Sequence, residues 1–126
     1  MERKTFVTEK AAVTGGPYSQ AVIHGGLIYL SGQGAFDPQA NQLRLGDISQ
    51  EAEITLENIR IILEEAGSSL ERVLKVTVYL QSMEDYQAFN QVYRRYFPQD
   101  PPARTCIAVA GLPFGMKVEM DLVAAL

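Results

Sequence analysis

Two side chains in the C-terminal quarter of the chain, Arg104 and Glu119, have the chemistry to handle a small acid. A planar guanidinium binds a carboxylate through two parallel hydrogen bonds. A carboxylate held at the right place orients or deprotonates water. Arg104 follows Pro101-Pro102-Ala103 and opens a run of small and apolar residues. The period of two puts Arg104 and Cys106 on one face of that strand and Ala103, Thr105, Ile107 and Val109 on the other. Each residue also has a plainer reading: a surface ion pair for Arg104, and a solvated strand face for Glu119 between Lys117 and Asp121. Spacing alone favours the plainer readings. Cys106 and His24 are the one cysteine and the one histidine. They fall on different elements, and His24 beside Gly25-Gly26 reads as a turn-flanking surface residue rather than half of a dyad. Such a pair cannot close a metal site, and the sequence carries neither GxGxxG nor a P-loop. No metal or cofactor is expected. Tyr18, Ser31 and Asn90 add hydroxyl and amide groups whose roles, taken singly, are ordinary packing or hydrogen bonding.

The elements that must position these groups are legible from periodicity. Residues 20–24 and 27–31, joined by Gly25-Gly26, read as a hairpin. Residues 34–46 read as a loop. Asp47 opens a helix, with Gln50 completing a capping box. Its apolar face is Ile48, Ala52, Leu56, Ile59, Leu63 and Ala66, and Gly67 follows as the stop. Over 73–81, Leu74, Val76, Val78 and Leu80 alternate with Lys75, Thr77 and Tyr79, the pattern of a half-buried strand. Ser82, with Asp85 three residues on, opens a second helix whose apolar face is Tyr86, Phe89, Tyr93 and Phe97. Pro98 ends it. Two strands remain, 103–110 and 116–125, with residues 111–115 as the turn between them. If the two pair as a hairpin, Cys106 lies near Glu119, and Arg104, Cys106 and Glu119 face one cleft. The order β-β-β-α-β-α-β-β predicts an α/β (α+β) domain spanning 1–126, an open sheet with both helices on one face. The other face then lacks cover within the chain, which predicts an oligomer.

Bulk properties narrow the function. The chain has 126 residues, 47% hydrophobic and 21% charged, with a formal charge of −4. An acidic balance argues against a dedicated nucleic-acid binder, because phosphate neutralisation needs clustered Lys and Arg. With one cysteine, no intrachain disulfide forms, consistent with a reducing compartment. The first residues, Met1-Glu2-Arg3-Lys4, lead into no apolar signal segment, and no stretch reaches membrane-spanning length. The expectation is a cytoplasmic protein with no membrane partner.

Together, these residues resemble the RidA/YjgF family of reactive-intermediate deaminases over essentially the whole chain. The matching segments are Gly16-Pro17-Tyr18-Ser19-Gln20-Ala21-Val22, Ser31-Gly32-Gln33, Ala66-Gly67, the strand at 73–80, Asn90-Gln91-Val92-Tyr93 and Tyr96-Phe97. The most specific is Pro102-Ala103-Arg104 with Leu112-Pro113 and Val118-Glu119 downstream. The resemblance implies a chorismate-mutase-like fold and a homotrimer. Its strands would line a central barrel, with clefts between subunits. It implies hydrolysis of 2-aminoacrylate and its imine tautomer 2-iminopropanoate, or of 2-iminobutanoate, to a 2-keto acid and ammonia, without cofactor. Such enamines arise from pyridoxal-phosphate dehydratases acting on serine or threonine. Carried over by position, Arg104 matches the arginine that clamps the substrate carboxylate and Glu119 the carboxylate that places water. Tyr18, Ser31, Asn90 and Cys106 match residues lining the cleft. One departure concerns specificity: where the family often has Ile-Pro after Ser-Gly-Gln, this chain has Gly34-Ala35-Phe36.

Competing functions share some of these residues. A non-catalytic regulatory protein that binds 2-keto acids would use Arg104 in the same way but has no need of Glu119 as a base. A ribonuclease or translation inhibitor fits poorly with the acidic balance and the lack of a well-placed histidine. No residue pattern speaks for or against a holdase.

Overall fold

The computed structural model describes residues 2–126. The elements are β1 (Lys4–Phe6), β2 (Ala21–His24), β3 (Leu27–Gln33), β4 (Phe36–Asp37), β5 (Gln42–Leu43), α1 (Ile48–Glu65), β6 (Val73–Leu80), α2 (Tyr86–Tyr96), β7 (Ala103–Ala108) and β8 (Val118–Ala125). Six strands form one mixed sheet in the order β1-β2-β3-β8-β6-β7, and β4 pairs with β5 alone. The two helices pack against each other and cover one face, so the predicted α+β architecture holds.

The local signals act as expected. The Asp47 carboxylate accepts from Gln50 N at 2.8 Å, and Gln50 Oε1 accepts from Asp47 N at 2.9 Å, so the capping box is complete. Gly25 and Gly26 both have positive φ, 61° and 78°, the backbone that a two-residue hairpin turn demands. Leu56, Ile59, Leu63, Phe89, Val76, Val78 and Leu80 are fully buried between helices and sheet. On β8, Val118, Met120, Leu122 and Ala124 face that core, while Glu119, Asp121, Val123 and Ala125 face away.

Four expectations are corrected. Residues 34–46 contain the β4–β5 hairpin, held by the Asp37 side chain accepting from Gln39 N and Ala40 N. Ser82 caps only a single 3-10 turn, and α2 begins at Tyr86. Leu74 does not join the core. A β-bulge between Val73 and Lys75 gives β6 an extra residue opposite β8, so Val73 and Val76 are buried and Leu74 is exposed. Finally, β7 and β8 are not a hairpin. β7 pairs in parallel with β6 after a crossover through α2, and β8 lies between β3 and β6. A strand whose alternate side chains are all buried gains most in the middle of the sheet. β7, with Ala103, Thr105, Ile107 and Ala108 exposed, suits the edge.

Candidate functional site

The sheet register decides which residues can meet. Arg104 is level with Val76 and Cys106 with Val78, so both side chains point to the helix face. Glu119 is level with Tyr79, whose neighbours on that side are Lys75 and Thr77, so it points to the uncovered face. Within one chain Arg104 and Glu119 therefore lie on opposite sides of the sheet, and the expected single-chain cleft containing both does not form. The cause is the insertion of β6 between β7 and β8.

The Arg104 half is a guanidinium stacked on aromatic rings. Its carbon lies 4.7 Å from the centroid of Tyr93, 5.7 Å from Tyr86 and 5.9 Å from Phe89, all on α2. One Nη2–H donates to the Tyr86 hydroxyl at 3.3 Å. No carboxylate among the described residues comes within ion-pair distance of Arg104. A guanidinium has five N–H donors in a fixed fork, so the geometry leaves most of them for an anion. The ring face of Tyr93 fixes the plane of the fork without using those donors. Cys106 is half-buried nearby, and burial pushes its thiol pKa up more than the Arg104 charge pulls it down. A thiol held in that direction is a neutral lining group, not a poised nucleophile. The Tyr93 hydroxyl, pushed up to about 12 mainly by burial, and Asn90 Oδ1 are both buried without a hydrogen-bond partner. Asn90 lies one turn beyond Tyr86 on the same helix.

The Glu119 half is a cleft of about 260 Å³ lined by Glu119, Tyr18, Gly32, Phe36, Phe114 and Gln33, among others. Burial, and secondarily the charge of Asp121, raise the Glu119 pKa from its ordinary value. Its carboxylate lies over Gly32: a Cβ there would sit 2.7 Å from Oε2. Any side chain at that position would displace the acid. Ser31 does not present its hydroxyl to the cleft. Its Oγ donates to Ser19 O at 2.5 Å and its backbone N donates to Gln20 O at 3.0 Å, tying the Tyr18 segment to β3. Tyr18 is exposed at the cleft, its hydroxyl hydrogen-bonded to Thr14. The six expected site residues thus fall into two groups. Tyr18, Ser31 and Glu119 belong to one side, and Asn90, Arg104 and Cys106 to the other.

Three contributors escaped the sequence reading. Tyr86 and Tyr93 were legible only as an apolar stripe, not as a platform for a cation. Glu51 on α1, which the sequence reading did not single out, is fully buried and accepts from Lys117 N at 2.7 Å and Gly46 N at 3.1 Å, which fixes the entry to β8 two residues before Glu119. Among the described residues no group of three or more His, Cys, Asp or Glu side chains is placed to hold a metal. No described helix is long and apolar enough to cross a membrane.

A family model described as Endoribonuclease L-PSP matches residues 8–126. The chain is 43% identical over 124 residues to a RutC family protein of Pyrococcus abyssi, covering 98% of both. It is 41% identical over 122 residues to the human 2-iminobutanoate/2-iminopropanoate deaminase, covering 97% of this chain and 89% of the human protein. The crystal structure of RidA from an Antarctic Psychrobacter superposes with a TM-score of 0.92 at 40% identity, covering 98% of this chain and 99% of that one.

Proposed function

The chain belongs to the endoribonuclease L-PSP family, which includes RidA and YjgF, and from that membership we propose that it hydrolyses small 2-imino acids at sites built from two copies of the chain. The observation that carries this reading is the half-buried Arg104, stacked on Tyr93 and without an acidic partner among the described residues. An unpaired guanidinium in that setting is matched to a ligand carboxylate. The name borne by the human relative supplies the reaction.

In the proposed reaction Arg104 of one copy holds the substrate carboxylate in plane. Glu119 of a neighbouring copy takes a proton from water as the oxygen attacks C2. The imine nitrogen, protonated, accepts the electron pair of the C=N π bond. Glu119 then returns that proton to the amino nitrogen and, as the C–N bond breaks, takes the hydroxyl proton, so the carbinolamine collapses to the 2-keto acid and ammonia. The reaction is a hydrolysis, with no change of oxidation state. A protonated imine is already electrophilic, so positioning and one proton relay account for the catalysis. The raised Glu119 pKa suits this role, because a base works best with a pKa brought toward the working pH.

Two further observations support assembly from several copies. β7, which carries Arg104, is an edge strand with one side unpaired by any strand of the chain. The uncovered sheet face carries Tyr29 and Ile107, each more than 40% exposed. Closing such a face by symmetry gives a ring of copies, and a homotrimer is the arrangement proposed here, in a cytoplasmic setting. The ribonuclease activity in the family description is the weaker fit. His24, the one histidine, lies at the hairpin turn, its Nδ1 3.3 Å from the Glu2 carbonyl oxygen, and it does not line the cleft.

The test is turnover of freshly generated 2-iminopropanoate and 2-iminobutanoate, followed as keto acid formed above the uncatalysed rate. Arg104→Ala and Glu119→Gln are each expected to lose at least about 97% of the wild-type rate, from the loss of about 2 kcal/mol or more in a partly desolvated site. Unfolded together and co-refolded in equal amounts, they should recover about one quarter of the wild-type rate, since in a closed ring one site in four draws both intact residues. No recovery from a properly assembled mixture refutes the shared site. No turnover by the wild type refutes the deaminase reading.

A further inference from the structure

The cleft beside Glu119 carries an apolar feature that the hydrolysis itself does not use. Phe114 sits in the left-handed region at φ 60° and ψ 17°. A bulky side chain there is strained, and such outliers persist where the surroundings impose them. The ring is also 68% exposed, so it gains little from burial in the fold. It meets Phe36 edge to face, with centroids 5.7 Å apart and planes at 86°. Phe36 in turn is anchored. Its carbonyl accepts from Asn58 Nδ2 at 2.6 Å, and the preceding Ala35 is fully buried, its N–H donating to Met116 Sδ at 3.2 Å. Both rings line the same cleft as Glu119.

We propose that Phe36 and Phe114 form a side-chain subsite that selects 2-imino acids with an aromatic side chain over the three-carbon imine. This rests on the deaminase reading of Glu119. The cleft of about 260 Å³ has room for several waters. A methyl side chain would leave most of that space wet. A phenyl ring would displace the water and pack against the free face of Phe114, adding a third ring to the edge-to-face pair. Backbone strain and an exposed ring, both unfavourable to the isolated chain, are then offset when substrate is bound.

The test compares kcat/KM for imines made in situ by an amino-acid oxidase from alanine and from phenylalanine. The wild type should prefer the phenyl imine. Phe114→Asn, which tolerates left-handed backbone, should lower the phenyl-to-methyl ratio by roughly ten- to a hundredfold. Phe36→Leu should lower it in the same direction. Calorimetry on the wild type should show phenylpyruvate binding more tightly than pyruvate, a readout independent of turnover. A wild type that turns over the methyl imine and disfavours the phenyl one overturns the subsite and leaves the deaminase reading standing. So does a folded Phe114→Asn with an unchanged ratio. Turnover of neither imine overturns both.

Discussion

Replacing Arg104 by lysine separates a substrate clamp from a structural cation. Lysine keeps the charge but loses the flat face that stacks 4.7 Å from the Tyr93 centroid, and with it the fixed fork. One charge-assisted hydrogen bond is worth about 1.5–3 kcal/mol. Losing one of two parallel bonds to the substrate carboxylate should therefore lower kcat/KM roughly 10- to 150-fold. Arg104→Ala removes the whole pair, about 2–5 kcal/mol in a partly desolvated site, or roughly 30- to several-thousand-fold. Arg104 also holds α2 against β7 through its cation–π contacts. These are worth about 0.5–2 kcal/mol, so either variant should lower Tm by about 2–8 °C. The assay is kcat/KM on 2-iminopropanoate for wild type and both variants at a temperature where all are folded, with assembly checked by light scattering. If Arg104 only braces the helix, Tm falls and turnover per folded site does not. Wild-type kcat/KM from a folded Arg104→Ala would refute the clamp.

Other outcomes follow from the same geometry. With Glu119 as the base, activity should rise with pH through its raised pKa, and Asp121→Asn, which removes the secondary cause of the rise, should move the acid limb of the kcat/KM profile to lower pH; an unmoved limb counts against Glu119 as the titrating group. A carboxyl whose folded pKa lies above its unfolded value contributes stability at low pH that is lost as pH rises through the folded pKa. Glu119→Gln should accordingly raise Tm at neutral pH, with the gain fading in acid, as a scan at several pH values would show. Asp47→Ala removes the carboxylate that accepts from Gln50 N, the side-chain half of the capping box contributed by Asp47, and should cost about 1 kcal/mol in denaturant unfolding without changing kcat/KM. Glu51→Ala leaves Lys117 N and Gly46 N without their buried acceptor and should cost about 2–4 kcal/mol; a loss below about 0.5 kcal/mol would show that water replaces it fully.

The sequence by itself determined the pieces and their chemistry. Asp47 with Gln50, the Gly25-Gly26 turn, the helical stripes of α1 and α2 and the alternation of β8 all act over a few residues, so nearest neighbours in the chain suffice to read them. The types of Arg104 and Glu119 are as legible, a guanidinium and a carboxyl on two strands, but spacing alone left them with the plainer readings of a surface ion pair and a solvated strand face. What sequence neighbours cannot encode is which strand lies beside which. β7 and β8 are consecutive and separated by a short turn, the arrangement that most simply makes a hairpin. Yet β6, which precedes them, takes both as partners. The fully buried alternate side chains of β8 are best covered at the sheet centre, and the crossover through α2 returns the chain to the far side of β6. That choice is made by the burial of the whole core, not by any local signal. It also sets the sides of the site: β7 enters with Arg104 level with Val76, while β8 presents Glu119 level with Tyr79. Because side chains alternate along a strand, this register puts the guanidinium under the helices and the carboxylate on the open face.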